Sequence, residues 1–292
     1  MSRRLALVIN PAAGGGRARK LLPSVEGALR AAGHDLVVTP TRSLEHADEL
    51  AAAAVADNRI AVAMGGDGIV GRVAGAVAAA GGVLGVLPGG RGNDFCRAVG
   101  IPRDAVAACA VLADGEERAV DLGYAGDVAF VGVASIGFDS DVQERVLTSR
   151  LPLGQLVYLY GSLATVAGWR PATFSCVVDG VPTSVTGWSV AVANSGMYGG
   201  GMRLAPHASV EDGLLDVVMT SATPRRTFLR AFPKVFKGTH VDEPSVTVRT
   251  ATSVQLDADR PFRVFADGDP VASLPCTVTV RPGALRVLLP HR

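Results

Sequence analysis

Uninterrupted apolar runs and helix-patterned stretches alternate along the first 120 or so residues. The runs are "RLALVIN", "HDLVVTP", "NRIAVAM" and "GVLGVLP". None of them alternates polar with apolar positions. A strand covered by helices on both faces needs apolar side chains on both sides, so such runs predict parallel strands inside a sheet. Between and after them the spacing predicts helices over residues 17–32, 44–56, 69–80, from near Asn93, and over 104–113. Repeated βα units of this length predict an open, doubly wound α/β sheet.

The texture changes after about Asp121. Residues 128–135, 173–178, 184–194, 214–219, 245–248, 263–266 and 276–280 are β-like and separated by Gly, Pro and Asp turns. Helical stretches intrude over 139–147, 155–168 and 225–236. This pattern predicts an antiparallel β-sandwich with helical insertions. The expected division is therefore an α/β domain over 1–121 and a sandwich domain over 122–283. The closing run "ALRVLLP" marks 284–292 as a segment able to return to the first domain.

Composition narrows the function. The formal net charge is +1, so no broad basic surface points to nucleic acid. The opening apolar run, residues 5–9, is too short for an export signal. No stretch approaches the roughly 18 apolar residues of a membrane span. Cys96, Cys109, Cys176 and Cys276 have neither zinc nor C-x-x-C spacing and read as buried thiols. A soluble, cytoplasmic protein is expected.

Three glycine-rich corners follow apolar runs: "NPAAGGG" (10–16), "GGDG" (65–68) and "PGGRGND" (88–94). In a doubly wound sheet, ligands sit beyond the carboxyl ends of the strands. Glycine permits positive φ and close backbone approach, and free N–H groups at a helix start suit phosphate. The middle corner contains G-x-G-x-x-G as Gly66, Gly68 and Gly71, a weak dinucleotide signal that here follows the third strand rather than the first. Asp67 would repel a pyrophosphate there. A carboxylate among phosphate-binding amides makes chemical sense with Mg²⁺ between it and a nucleotide, which points to phosphoryl transfer.

The ordered set "NPAAGGG", "GGDGIVGRV", "PGGRGNDFCR", "DLG", "ANSGMYGGGMRLAPHASVEDGLLDV" and "ADGDP" resembles the bacterial diacylglycerol kinase-like lipid kinases, whose wider family includes sphingoid-base and ceramide kinases. The resemblance covers nearly the whole chain. It implies a two-domain ATP- and Mg²⁺-dependent lipid kinase with the nucleotide in the interdomain cleft. Asn10, Pro11, Ala12, Ala13 and Gly14, with Gly66, Asp67, Gly68, Ile69, Val70, Gly71 and Arg72, would line the nucleotide. Thr41 would also contact it. Asp67, Asp94 and Asp121 would form an acidic network around Mg²⁺, and Asp269 would be the general base. Ser209, Asp212 and Leu214 match a second, structural Mg²⁺ site. The implied partners are a lipid such as diacylglycerol and, through its insolubility, a transient membrane-surface contact; a homodimer is compatible, and nucleic acid is not expected.

Three positions depart from the family pattern. Ile69 and Arg91 replace threonines, and Asp269 replaces a glutamate. Arg91 could clamp phosphate instead. The shorter Asp269 needs the backbone to sit closer. Each candidate also has a plain structural reading: Asp267-Gly268 as a hairpin turn, Asp94 or Asn93 as a helix cap, and Asp121 as a turn at the domain change. Trp169, Trp188, Tyr158 and Tyr160 read as packing residues, and residues 155–169 as core or as the wall of an acyl-chain groove. The rival functions are a sphingoid-base or other long-chain alcohol kinase, an NAD kinase, and a non-catalytic nucleotide- or lipid-binding homologue.

Overall fold

The computed structural model describes residues 2–148 and 156–292. Gln155 and the side chains of Tyr158 and Tyr160 lie outside the described residues.

The first part runs β1 (Arg4–Ile9), α1 (Ala13–Ala31), β2 (Asp35–Pro40), α2 (Leu44–Ala56), β3 (Ile60–Gly65), α3 (Asp67–Ala79), β4 (Val83–Pro88), α4 (Asp94–Ala98) and α5 (Ala105–Asp114). The four strands are parallel in the order β4-β3-β1-β2. This is the open α/β arrangement that the apolar runs predict. Strand β1 lies between β2 and β3, so the connections after β1 and β3 leave in opposite directions. The crevice at their carboxyl ends is the topological switch point. The strands are apolar on both faces because helices cover both: Leu5, Leu7, Val62, Met64, Leu84 and Leu87 are 0–1% exposed.

The second part runs β5 (Glu116–Ala125), β6 (Val128–Phe130), β7 (Val133–Gly137), α6 (Phe138–Thr148), α7 (Leu156–Gly168), β8 (Ala172–Val178), β9 (Val181–Ala193), β10 (Met197–Tyr198), β11 (Met202–Arg203), β12 (Leu215–Ser221), α8 (Arg225–Ala231), β13 (Val246–Ala251), β14 (Ser253–Ala258), β15 (Arg263–Ala266), β16 (Asp269–Ser273) and β17 (Cys276–Leu289). Apart from one parallel contact, its pairings are antiparallel. That exception is made by β17. It pairs with β14, runs antiparallel along β5, and ends parallel to β4 through Arg286 and Val287. One long strand thus ties the two sheets into a continuous surface.

Trp169 and Trp188 are packing residues, 4% and 1% exposed, stacked with ring centroids 6.1 Å apart. The four cysteines are free and buried.

Three local differences from the sequence reading have physical causes. The helix expected over 225–236 breaks: α8 stops at Ala231 and a 3-10 segment, Phe232–Lys237, follows with Pro233 in its first turn. Proline lacks the N–H that an α-helix would use, and its ring crowds the carbonyl one turn back. The β-run expected over 128–135 divides into β6 and β7 at Val131 and Gly132, whose backbone N–H groups, with that of Val133 at the start of β7, donate to the Asp267 carboxylate. Strand β14, absent from the sequence reading, shows a two-residue alternation in "SVQLDA" with Val254 and Leu256 turned inward.

Two of the G-x-G-x-x-G glycines also acquire a structural role, together with Gly75. Gly68, Gly71 and Gly75 share one face of α3. A Cβ on Gly71 would lie 2.8 Å from Asp267 Oδ2 and 3.4 Å from Phe130 Cα, and one on Gly75 would lie 2.7 Å from Ala129 Cβ. The stripe lets β6 and the β15–β16 turn rest directly on the helix.

Candidate active site

The three glycine corners meet at the switch point. After β1, Asn10 Oδ1 accepts from the Ala12 N–H at 3.0 Å, and Gly14, Gly15 and Gly16 follow in left-handed conformation before the regular turns of α1. Side chains rarely adopt this conformation, which explains the glycine run. The corners also touch backbone to backbone. A Cβ on Gly14 would stand 2.8 Å from Gly89 O, and one on Gly90 would stand 2.4 Å from Gly66 Cα. The N–H groups of Gly89 and Gly90 both donate to Gly65 O. Asn93, left-handed at φ 51°, locks the third corner: its Oδ1 accepts from Gly90 N–H at 2.8 Å, and its Nδ2 donates to Gly90 O.

The side chain of Asn93 is therefore spent on Gly90 and does not cap α4. Asp67 acts there instead, its Oδ1 accepting from the Phe95 N–H at 2.9 Å. The other oxygen of Asp67 turns toward Asp94. A Cβ built on Gly92 would lie 3.1 Å from Asp67 Oδ2 and 2.8 Å from Asp94 Oδ2, so the two carboxylates converge beside that glycine. Burial pushes Asp94 up to about 6, with the Asp67 charge adding to the rise; burial also raises Asp67, against backbone donors from Phe95 and Asp94. Asp94 Oδ2 accepts from the Gly200 N–H at 2.7 Å, and Arg97 Nε lies 3.8 Å from Asp94 Oδ1. Asp94 Oδ1 is buried and has no hydrogen-bond partner among the described residues.

The second domain contributes from two places. The β10–β11 hairpin turns through Gly199, Gly200 and Gly201, all at positive φ, and brings the Gly200 N–H to Asp94. The β15–β16 turn brings Asp269 to the start of α3. A Cβ on Gly68 would lie only 2.0 Å from Asp269 Oδ2. Burial raises Asp269, and the Arg72 charge opposes the rise. Arg72 itself pairs with Asp48 of α2. The turn is held by Asp267, which accepts from Val131, Gly132 and Val133 N–H at 2.8, 2.9 and 3.2 Å. Burial pushes Asp267 up to about 8, even though three donors favour its ionised form.

The remaining predicted residues divide. Arg91 is exposed, and its Nη2 lies 3.6 Å from where a Gly15 Cβ would be, over the first glycine corner. Thr41 donates its backbone N–H to Ile9 O at 2.8 Å, beside the end of β1. Ile69 and Val70 are 3% and 2% exposed and belong to the core. The side chain that replaces the family threonine thus points away from solvent. Asp121 does not join Asp67 and Asp94 through its carboxylate. Its Oδ2 accepts from Gly213 N–H at 2.6 Å and its Oδ1 from Gly283 N–H at 2.8 Å. It thereby supports the turn containing Ser209, Asp212 and Leu214. In that turn Asp212 Oδ1 accepts from the Leu214 N–H and Ser209 Oγ from the Glu211 N–H. Among the described residues, no group of three or more His, Cys, Asp and Glu is arranged to hold a metal ion.

Comparison with known proteins decides the family. The diacylglycerol kinase catalytic domain matches residues 4–125, and the YegS C-terminal NAD kinase beta sandwich-like domain matches 132–289. The chain belongs to the diacylglycerol kinase-like lipid kinase family. It is 36% identical to a diacylglycerol kinase of Mycobacterium tuberculosis over 99% of this chain and 96% of that protein. It is 34% identical to a YegS-like lipid kinase of Pseudomonas fluorescens over 90% and 89% of the two chains. Its fold matches a crystal structure of a diacylglycerol kinase from Bacillus anthracis with a TM-score of 0.75 at 21% identity, covering 98% and 97% of the chains.

For a lipid kinase of this family ATP is the implied phosphoryl donor. The fit to Mg²⁺ can be tested on the acidic pair. Two converging carboxylates, one with an orphaned buried oxygen and a raised proton affinity, form a hard oxygen donor set whose mutual repulsion a divalent cation would relieve. The residues fit the ion. Four participants escaped the sequence reading as site residues: Asp267, Asn93, Arg97 and Gly200. Asp267 and Asn93 were visible only as turn or cap residues, and the link from Gly200 to Asp94 spans 106 positions. No helix among the described residues is long and apolar enough to cross a membrane.

Proposed function

We propose that the chain transfers the γ-phosphoryl group of ATP to the free hydroxyl of diacylglycerol, giving phosphatidic acid and ADP. The observation that carries this reading is the placing of three acids around the start of α3, where the glycine corners meet: the Asp67–Asp94 pair beside Gly92 and Asp269 against Gly68. Phosphoryl transfer needs positioning and charge stabilisation more than covalent chemistry. The first-turn N–H groups of α3, which have no intrahelical partner, suit the phosphates, with the exposed Arg91 guanidinium over the first glycine corner. Asp67 and Asp94 would hold Mg²⁺, which supplies charge neutralisation on the phosphates when bound.

Asp269 accepts the proton of the lipid hydroxyl as that oxygen attacks the γ-phosphorus. The bond from the γ-phosphorus to the β–γ bridging oxygen breaks, and ADP leaves. The raised proton affinity of Asp269 suits a general base, because it moves the group toward working pH. The Mycobacterium tuberculosis relative supports diacylglycerol as the acceptor. The test is transfer of labelled phosphate from ATP to a panel of diacylglycerol, sphingoid base and long-chain alcohol. Labelled phosphatidic acid that disappears in Asp269→Asn is the expected result. Labelling of the sphingoid base in preference to diacylglycerol overturns the acceptor, and no labelled lipid at all overturns the reaction.

A further inference from the structure

The excursion between β12 and β13 is not used by the chemistry above. Between Ala222 and Gly238 it carries Arg225, Arg226, Arg230, Lys234 and Lys237 and no acid, in a chain whose formal net charge is +1. Neither α8 nor the 3-10 segment after it contains a buried residue. The segment is nevertheless anchored. Phe228 stacks on the buried Trp188 with ring centroids 3.9 Å apart, and the aromatic spacing continues outward through Phe232 to Phe236. Phe236 is 52% exposed and Leu229 43%. Arg225 donates to Trp169 O, and Lys234 pairs with Glu243. Arg226, Arg230 and Lys237 are exposed and make no ion pair among the described residues.

We propose that this segment, residues 225–237, docks the protein on an anionic lipid surface. Cations interleaved with exposed aromatic and aliphatic side chains on a rigidly anchored element match a headgroup layer, where the charges meet anionic lipid and the apolar tips enter the acyl boundary. Charge complementarity selects an anionic bilayer over a neutral one. The position suits the purpose. The 3-10 segment packs beside β11, and a Cβ on Gly238 would lie 2.9 Å from Pro206 Cβ and 3.5 Å from Arg203 Cβ. The same β10–β11 hairpin gives its Gly200 N–H to Asp94. A bilayer at this face therefore lies one structural layer from the acidic pair. The proposal deepens the lipid-kinase reading by naming the surface that meets the substrate's membrane.

The test is co-sedimentation of the full chain with vesicles of phosphatidylcholine alone or mixed with phosphatidylglycerol, without diacylglycerol or ATP. Binding to the mixed vesicles only, weakening with salt, is expected. The triple variant R226Q/R230Q/K237Q should lose on the order of 100-fold in partitioning, as about fivefold per surface cation implies. L229S/F236S should weaken binding without changing its salt dependence. Charge reversal at the exposed Arg30 and Arg103 of the first domain should leave it unchanged. All these variants keep activity on a soluble short-chain diacylglycerol. Equal binding to neutral vesicles, an unaffected triple variant, or capture of an RNA oligonucleotide in place of vesicles would overturn the proposal. Because the vesicles contain no substrate, failure of kinase activity leaves this result standing. Failure of binding with activity intact on the soluble lipid removes the docking surface alone.

Discussion

Asp269 rests against the bare Cα of Gly68, so closely that a Cβ on that glycine would stand 2.0 Å from Asp269 Oδ2 and 3.1 Å from its Cγ. The absence of a side chain at position 68 therefore sets where this carboxylate sits. Gly68→Ala is expected to push Asp269 aside while α3 remains intact, since alanine favours a helix over glycine. A displacement near 1 Å lowers turnover by about 100-fold. Steady-state kinetics with thermal melting checks this: kcat should fall while Tm holds or rises. A variant with normal kcat removes Asp269 from the proton-transfer role.

Asp267 is expected to act through structure. Its carboxylate accepts from three consecutive N–H groups, two in the break between β6 and β7 and the third at the start of β7. Asp267→Ala leaves these donors without that acceptor. At about 1–3 kcal/mol per unsatisfied buried donor, partly offset by losing a buried acid, the net destabilisation should be roughly 3 kcal/mol. Urea unfolding measures it directly. The same variant frees the turn that carries Asp269, so kcat should fall even in the folded fraction. Asp267→Asn retains one acceptor oxygen and should lie between the two.

Much of this molecule was legible in the chain. The parallel strands were visible because a strand buried on both faces must be apolar throughout, as in "AVAM" before Gly65. The meeting of the glycine corners followed from the switch-point rule once the strands were placed. The partners of each acid were not legible. Asp94 joins Gly200, Asp121 joins Gly213 and Gly283, and Asp267 joins Val131, contacts between 92 and 162 positions apart that leave no local pattern. Likewise, nothing in "GGDGIVG" tells that Ile69 faces the core while Asp67 caps α4. That depends on the helix rotation fixed by packing on Gly65.

Asp94 should show opposite effects on stability and on metal dependence. Without a cation its buried charge beside Asp67 is unfavourable, as its rise to about 6 indicates. Asp94→Asn removes that charge and keeps an oxygen to accept from Gly200. The metal-free variant should therefore melt above the wild type at pH 8. If the pair holds Mg²⁺, half-maximal activity should require at least roughly tenfold more of the ion. Thermal melts in chelator and a Mg²⁺ titration of activity separate the two effects. An unchanged Mg²⁺ requirement would place the ion elsewhere.

Asp139, at the start of α6, offers a pH-dependent readout away from the acidic pair. Burial pushes it up to about 6 from an ordinary 3.8, although Ser189 and Tyr198 hydroxyls favour its charge. The Tyr198 hydroxyl lies 3.4 Å from Asp139 Oδ1, and its own proton is held more tightly by burial and by the charges of Asp139 and Asp94. Between pH 3.8 and about 6 the folded protein binds a proton at Asp139 that the unfolded chain has released. Stability from this group is thus complete below pH 3.8 and lost as pH rises through about 6. At about 1.4 kcal/mol per pH unit, the loss by pH 8 approaches roughly 3 kcal/mol. Asp139→Asn cannot lose the proton, so the variant should match the wild type near pH 4 and exceed it in Tm at pH 8. Thermal melts across that range test the sign as well as the size. Parallel curves would mean that Asp139 ionises in the fold as readily as in the unfolded chain, with Tyr198 and Ser189 compensating fully for its burial.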